Sequence, residues 1–128
     1  MKKTRVDTKW YSNGNKKSEY NYKVGFSIPF TPFFKITFNV KEDGIETHWY
    51  KNGQKEEEIN YKNGKEDGLN SGWYKNGQKE WEGTWKDGQE DGIETHWYES
   101  GQKKEETTYN FGKEISSKEW NEDGSLKE

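Results

Sequence analysis

Apolar residues alternate with small or polar residues in two runs, residues 20–28 and residues 34–40. The apolar positions are Tyr20, Tyr22, Val24, Phe26 and Ile28, followed by Phe34, Ile36, Phe38 and Val40. A period of two places successive side chains on opposite faces of a β-strand. Because a segment with two prolines, residues 29–32, separates the two runs, the pattern predicts one long amphipathic β-hairpin.

The rest of the chain repeats one phrase. WYKNGQKE begins at Trp49 and again at Trp73, and the related WYESGQKKE begins at Trp97, which gives a period of 24 residues. Self-similarity at a fixed period is typical of repeat architectures. Copies are predicted near residues 10–25, 41–64, 65–88 and 89–112, with a degenerate copy at 113–128 and an insert at 26–40. Residues 1–128 are therefore predicted to form a single repeat domain.

Antiparallel β-hairpins are the predicted unit of the repeat. No window has the i, i+3, i+4 spacing of an amphipathic helix, whereas Asn-Gly and Asp-Gly pairs recur along the chain. In the second copy, a three-residue loop ending at a left-handed Gly53 would pair Trp49 with Lys55 and Ile45 with Ile59. The predicted fold class is all-β: consecutive hairpins forming an elongated, largely single-layer twisted sheet, with one hairpin lengthened by the insert.

This register would collect the apolar residues on one face of the sheet. That face is predicted to hold Ile45, Thr47, Trp49, Ile59 and Tyr61, and in the next copy Leu69, Ser71, Trp73, Trp81, Gly83 and Trp85. The opposite face is predicted to hold Glu46, His48, Tyr50, Glu56 and Glu58. A lysine follows each turn, and its alkyl stem and ammonium group can cover an indole. These lysines are Lys55, Lys79 and Lys103.

Composition explains why aromatic residues dominate this pattern. Leu, Ile, Val and Phe total only 17 residues, and 35% of the chain is charged, a profile typical of disordered proteins. Seven Trp, eight Tyr and six Phe supply the missing apolar surface, because each ring can bury roughly 150–250 Å². A sheet one layer thick cannot bury such rings against itself, so we expect them to pack on neighbours or to contact a partner.

Charge and residue content exclude several functional classes. Residues 1–40 carry eight cations and two acids, while residues 41–128 carry thirteen cations and twenty-two acids. Most of the chain therefore lacks the basic footprint of a nucleic-acid-binding protein. The lack of cysteine removes disulfides and thiol catalysis. No apolar run suits a transmembrane segment, no secretory signal is expected, and the compartment is left open.

Candidate catalytic and metal-binding residues do not converge on one site. His48 and His96 lie two repeats apart, which is about four strands or roughly 19 Å, so they cannot share one metal ion. Residues 87–92 have the spacing of a calcium loop, but Tyr98 stands where the bidentate glutamate belongs. A column of glutamates, which any repeat containing Glu produces, comprises Glu19, Glu58, Glu82 and Glu106. We predict no enzyme activity, no metal site and no cofactor.

The unit WYxNGQKxxE…YxNGKxDG resembles the bacterial variant of the MORN repeat, as found in YwqK-family antitoxins. The resemblance covers residues 10–112 apart from the insert, and residues 113–128 more weakly. It implies a ladder of hairpins that serves as a non-enzymatic interaction or scaffold module. It also implies that the partner is a toxin, or an envelope or host-surface component. Residues 72–85 are similar, in addition, to cell-wall-binding repeats that hold choline or glucan.

Function is predicted to reside in the aromatic surface. The candidate interaction residues are Trp49, Trp73, Trp81, Trp85, Trp97, Tyr61, Tyr109, Phe26, Phe30, Phe33 and Phe34. A protein partner is the first hypothesis. In the alternative, an aromatic site for cell-wall carbohydrate, choline or lipid headgroups is lined by Trp73, Trp81, Trp85 and Trp97. A third hypothesis is a homo-oligomer formed through the insert at 26–40.

Overall fold

The computed structural model describes residues 2–27 and 37–128, which form twelve β-strands and no helix. The strands are β1 (Lys2–Trp10), β2 (Lys16–Ser27), β3 (Thr37–Glu42), β4 (Gly44–Trp49), β5 (Lys55–Lys62), β6 (Lys65–Glu66), β7 (Gly68–Trp73), β8 (Lys79–Lys86), β9 (Gln89–Glu90), β10 (Gly92–Trp97), β11 (Lys103–Asn110) and β12 (Lys113–Glu119). The all-β fold class predicted from the sequence is confirmed.

All twelve strands belong to one open antiparallel sheet. The order is β1-β2-β4-β5-β7-β8-β10-β11-β12, and β3, β6 and β9 extend the sheet by pairing with β2, β5 and β8. Successive hairpins pair through two residues on each side, as in Glu57↔Gly72 and Glu58↔Ser71 between β5 and β7. One more backbone bond joins neighbouring repeats, for example from the amide of Gly64 to the carbonyl of Glu42 at 2.8 Å. Each repeat therefore adds one hairpin to the sheet, and side-chain contacts between repeats must supplement this short backbone pairing.

The hairpin that precedes the second copy is lengthened, as predicted. Six residue pairs join β2 to β3, from Tyr22↔Glu42 to Ser27↔Thr37. The equivalent pairing of β5 with β6 contains only two residue pairs. The turn predicted at residues 29–32 lies outside the described residues.

The hairpin loops have the predicted length. In the loop between β4 and β5, the amide of Tyr50 donates to the carbonyl of Gln54 at 2.8 Å, and the amide of Gly53 donates to the carbonyl of Tyr50 at 2.9 Å. Gly53 has a φ of +89°, which glycine adopts without steric cost. Asn52 Oδ1 accepts a hydrogen bond from the amide of Gln54 at 3.0 Å. The Asn-Gly pair thus encodes a three-residue loop through local bonds alone.

A β-bulge directly after the loop changes the register. Trp49 pairs with Lys55, as predicted, but His48 pairs with Glu57, so Glu56 is an extra residue on β5. The same shift occurs in the pairs β7–β8 and β10–β11. Because the side-chain period of a strand is two, one extra residue moves the rest of the second strand to the other face.

The bulge makes part of the predicted face assignment wrong. Ile45 lies opposite Asn60 and not opposite Ile59, which instead faces Glu46. We define the front face as the side that carries Ile45, Thr47, Trp49 and Glu58 and their equivalents in other repeats. The back face is the side that carries Glu46, His48, Glu57, Ile59 and Tyr61 and their equivalents. Ile59 and Tyr61 therefore do not share a face with Trp49, whereas Glu58 does.

The β-bulge also explains the ion pairs between residues three apart in sequence. Lys55 Nζ lies 2.5 Å from Glu58 Oε2, and Lys103 Nζ lies 2.6 Å from Glu106 Oε2. In a regular strand, residues i and i+3 point to opposite faces. The bulge brings both side chains to the front face, where the ammonium group can reach the carboxylate.

The sheet has no second layer within the described residues, so neither face is covered there. Among these residues, Ile59 is the one buried aliphatic or aromatic side chain, with 8% of its surface exposed. The buried polar residues are Ser18, Thr47, Asn70, Ser71 and Thr107. The predicted single-layer architecture is confirmed.

Candidate interaction surfaces

Tryptophan and lysine side chains alternate along the front face near the turns. The lysine after each turn lies over the tryptophan of the next repeat, with Nζ 5.2–5.9 Å from the ring centre. The pairs are Lys16–Trp49, Lys55–Trp73, Lys79–Trp97 and Lys103–Trp120. The sequence predicted lysine cover for the indoles, and the structure shows that the covered ring belongs to the following hairpin. Each such contact contributes about 0.5–1 kcal/mol at exposed sites.

The four glutamates that recur in one column of the repeat lie on the front face, next to the lysines that cover the tryptophans. Each of the four lysines forms an ion pair with the glutamate three residues later. The pairs are Lys16–Glu19, Lys55–Glu58, Lys79–Glu82 and Lys103–Glu106. The carboxylates of this column are therefore neutralised by partners that also hold the tryptophans.

Tyrosine hydroxyls connect successive turns. The hydroxyl of each turn tyrosine donates to the backbone carbonyl of the next repeat's tryptophan at 2.7–3.0 Å. The pairs are Tyr11–Trp49, Tyr50–Trp73, Tyr74–Trp97 and Tyr98–Trp120. Burial, together with nearby glutamates, raises the pKa of the Tyr50 and Tyr74 phenols, which keeps them protonated as donors. These bonds supplement the short backbone pairing between hairpins.

Two indoles of the third copy lie directly on the backbone of the back face. Trp81 is paired with Gly72, and a Cβ added at Gly72 would lie 2.1 Å from Trp81 Nε1. A Cβ at Gly83 would lie 2.7 Å from Cζ3 of Trp85. The two indoles meet edge to face with their ring centres 5.8 Å apart. Glycine at these positions is what allows the rings to approach the sheet.

The candidate aromatic residues divide between the two faces. Those on the front face are Trp49, Trp73 and Trp97. Those on the back face are Trp81, Trp85, Tyr61 and Tyr109. The prediction of a single aromatic face is wrong, because the bulge reverses the orientation of the second strand of each hairpin. Trp73 and Trp97 consequently cannot line one site together with Trp81 and Trp85.

The remaining candidates belong to the insert. Phe30, Phe33 and Phe34 lie outside the described residues. For Phe26 the structure gives the backbone pairing with Phe38 between β2 and β3. Their role in an interaction surface stays a prediction.

A row of exposed aliphatic side chains crosses the front face away from the turns. Its members are Val6, Ile45, Leu69 and Ile93, which are 41–57% exposed. Successive members are two strands apart in the sheet order, or roughly 9.5 Å. Sequence reasoning did not single out this row. The signal was present, because Val6 precedes Ile45 by one period plus the insert.

Two clusters of four glutamates occupy the back face. The first, here called the Tyr61 cluster, surrounds that phenol with Glu42, Glu46, Glu57 and Glu66. The second, the Tyr109 cluster, surrounds that phenol with Glu90, Glu94, Glu105 and Glu114. The two clusters are related by two periods of the repeat, so the same strand positions produce both.

The Tyr61 cluster disfavours negative charge. Burial and the neighbouring carboxylates raise the pKa of Tyr61 to about 12. Burial is also the main cause that raises the pKa of Glu57, with a smaller contribution from Glu46. The pKa of Glu66 is raised by burial and then by the charge of Glu57. A cation bound at this surface would favour the ionised carboxylates and so would lower the pKa values of Glu57 and Glu66.

Each histidine contacts one glutamate of the adjacent cluster. His48 Nε2 lies 2.6 Å from Glu46 Oε1, and His96 Nε2 lies 2.5 Å from Glu94 Oε1. The hydrogen bond to Glu94 raises the pKa of His96. The two histidines lie on β4 and β10, four strands apart, which is the separation predicted from the repeat. No group of three His, Cys, Asp or Glu residues in the described part of the chain could hold a metal ion.

The part of the chain that the structure describes contains no helix capable of crossing a membrane.

Comparison with known proteins finds the same repeat type in two places. The family model of the MORN repeat variant matches residues 42–63, which include β4 and β5, and residues 90–110, which include β10 and β11. No curated protein and no solved structure matches the chain. The resemblance to MORN repeats is confirmed at these two segments, and the chain is a repeat module. Membership of the YwqK family stays a prediction.

Proposed function

We propose that this protein is a non-enzymatic repeat module that binds another protein through its front face. The observation that carries the proposal is the exposed aliphatic row formed by Val6, Ile45, Leu69 and Ile93. The polar residues Asn21, Asn60 and Thr84 lie between these side chains, so they form an evenly spaced row, and its regular exposure across several repeats supports an interaction site. Repeats of this type generally act as interaction modules, which agrees with the proposal.

Contacts between repeats favour a surface of fixed geometry. The tyrosine hydrogen bonds and the lysine–tryptophan contacts join each hairpin to the next along the sheet. The aliphatic row is therefore presented with a constant spacing. A surface organised before binding loses little conformational entropy when the partner docks.

The spacing of the row suits a partner helix that lies across the strands. Successive members are roughly 9.5 Å apart, and an α-helix advances roughly 10.5 Å in seven residues. An amphipathic helix with one apolar stripe would therefore meet about one member of the row every two turns. A toxin, or an envelope or host-surface component, is the type of partner that the family resemblance favours.

A capture experiment with matched variants tests this proposal. Immobilised wild-type protein, Leu69→Lys and Leu126→Lys would be incubated with extract from the source cells, and retained proteins would be identified by mass spectrometry. Leu126 is the control because it is 57% exposed but lies outside the row. We expect one protein to be retained by the wild type and by Leu126→Lys, and lost with Leu69→Lys. Equal recovery with Leu69→Lys, or no specific protein at all, would contradict the proposal.

A ligand titration tests the carbohydrate and choline hypothesis separately. Two of its four tryptophans lie on each face, so only the Trp81–Trp85 pair remains as a contiguous aromatic site. Tryptophan fluorescence would be followed while choline and cell-wall oligosaccharides are added. A saturable change that is abolished by Trp85→Ala would favour that hypothesis over a protein partner.

A further inference from the structure

The two faces differ in how their carboxylates are balanced. On the front face, all four glutamates of the repeat column form ion pairs with lysines. On the back face, none of the eight glutamates in the Tyr61 and Tyr109 clusters pairs with a lysine or arginine among the described residues; two contact a histidine. The back face therefore presents two concentrations of glutamates that no lysine or arginine of the described residues pairs with.

The surface between the clusters is aromatic. Trp81 and Trp85 are half-buried on β8, where they lie on the backbone at Gly72 and Gly83. In the copies on either side, the position of Trp81 is occupied by a glutamate, Glu57 or Glu105. The third copy thus interrupts a row of acids with an indole pair. Indole faces attract cations, above all the guanidinium group of arginine.

Sheet geometry sets the distance between the clusters. Tyr61 on β5 and Tyr109 on β11 are four strands apart in the sheet order, which corresponds to roughly 19 Å. An extended peptide rises roughly 3.3 Å per residue, so about six residues would span this distance.

We infer that the back face docks a basic segment of a protein, in which two groups of arginine or lysine side chains about six residues apart engage the Tyr61 and Tyr109 clusters. Side chains between these two groups lie over Trp81 and Trp85. The partner's cations supply the charge that the chain's own lysines supply on the front face. This inference concerns the face opposite the aliphatic row, so it can fail or succeed independently of the proposed function.

Charge favours this occupant over the other candidates. An anionic membrane surface or a nucleic acid would be repelled by the carboxylates of the two clusters. A divalent cation lacks a set of three ligands in the described residues. A second copy of this chain could present its basic first strand, where Lys3, Arg5 and Lys9 occur, and the test below distinguishes that case.

Isothermal titration calorimetry with a synthetic peptide tests the inference. The probe peptide carries two Arg-Arg pairs separated by about four serines, which puts the centres of the pairs about six residues apart, and a second peptide of the same composition has its arginines contiguous. We expect saturable, salt-sensitive binding of the spaced peptide, at least several-fold tighter than that of the contiguous one. Absence of saturable binding, or equal affinity for both peptides, would overturn the inference.

Charge-neutralising variants locate the site. Glu57→Gln/Glu66→Gln removes charge from the Tyr61 cluster, and Glu105→Gln/Glu114→Gln does the same for the Tyr109 cluster. Each should weaken binding of the spaced peptide by about tenfold, because a close charge pair is lost. The matched front-face control, Glu58→Gln/Glu82→Gln, should stay within about twofold of the wild type, because these side chains point away from the peptide and salt screens their charge. An equal loss in the control would overturn the assignment to the back face.

Two further measurements exclude other occupants. Calcium or magnesium chloride alone should give no saturable heat. Sedimentation of the wild-type protein should show no salt-sensitive self-association that the back-face variants remove. Either signal would overturn the inference in favour of a cation or of a second copy. Circular dichroism establishes whether each variant is folded. If one of the two cluster variants misfolds, the other still tests the inference.

Discussion

Replacing Gly72 with alanine should destabilise the sheet, and replacing Trp81 with glutamate should reverse the sign of that effect. The new Cβ would lie 2.1 Å from Trp81 Nε1 and 2.7 Å from its Cδ1. Atoms cannot approach so closely, so the indole would have to leave the backbone surface that it covers. Glutamate is chosen for position 81 because the equivalent residues of the neighbouring copies are Glu57 and Glu105.

The expected magnitudes come from two opposing terms. Forcing extra volume into a packed contact costs roughly 1–3 kcal/mol. Alanine in the middle of a strand is more favourable than glycine by roughly 0.5–1 kcal/mol. Gly72→Ala should therefore destabilise the wild type by about 0.5–2 kcal/mol. In the Trp81→Glu background only the backbone term remains, and the same substitution should stabilise by about 0.5–1 kcal/mol.

Urea unfolding followed by far-ultraviolet circular dichroism would measure the four proteins of this double-mutant cycle. Circular dichroism is preferred because two of the four proteins lack Trp81. The expected coupling between the two sites is about 1–3 kcal/mol, well above the roughly 0.3–0.5 kcal/mol typical of independent sites. If Gly72→Ala has the same effect in both backgrounds, Trp81 does not lie on Gly72, and the packing described for the back face is incorrect.

Three further predictions concern the polar contacts. Tyr74→Phe removes the hydrogen bond to the Trp97 carbonyl and should lower the free energy of unfolding in urea by about 0.5–1.5 kcal/mol. The Tyr109 hydroxyl donates no hydrogen bond within the described residues, so the control Tyr109→Phe should lower it by less. Because the folded pKa of Tyr61, about 12, exceeds its ordinary value of 10.0, its contribution to stability is complete below pH 10.0 and is lost as the pH rises towards 12. Unfolding measured across that range should show a smaller alkaline loss for Tyr61→Phe. Since burial raises the pKa of Glu57, Glu57→Gln should stabilise the protein at neutral pH, and this advantage should shrink on acidification as the wild-type carboxyl becomes protonated; thermal unfolding at several pH values would detect either outcome.

Features formed by residues close together in the sequence could be predicted, and features formed by residues from several strands could not. The loop at Gly53 was predictable, because its bonds lie within five residues and glycine is required at positive φ. The aliphatic row was within reach of the sequence, since its members recur with the period. The glutamate clusters were not, because each requires the register of four strands at once. Tyr61 meets Glu46 only because the bulge moves Tyr61 to the back face, where Glu46 lies.

By itself, the sequence determined that the chain is a ladder of hairpins with a 24-residue repeat, because turn chemistry and periodicity are local properties. Only the tertiary structure decided which face each ring occupies. The register predicted from the sequence sorted apolar from charged residues on the assumption that one face is buried, but neither face is covered within the described residues, so burial does not select the register. Instead, a bulge residue such as Glu56 moves the side chains of the second strand to the opposite face. In this register Lys55 contacts both Glu58 and the indole of Trp73 in the next repeat.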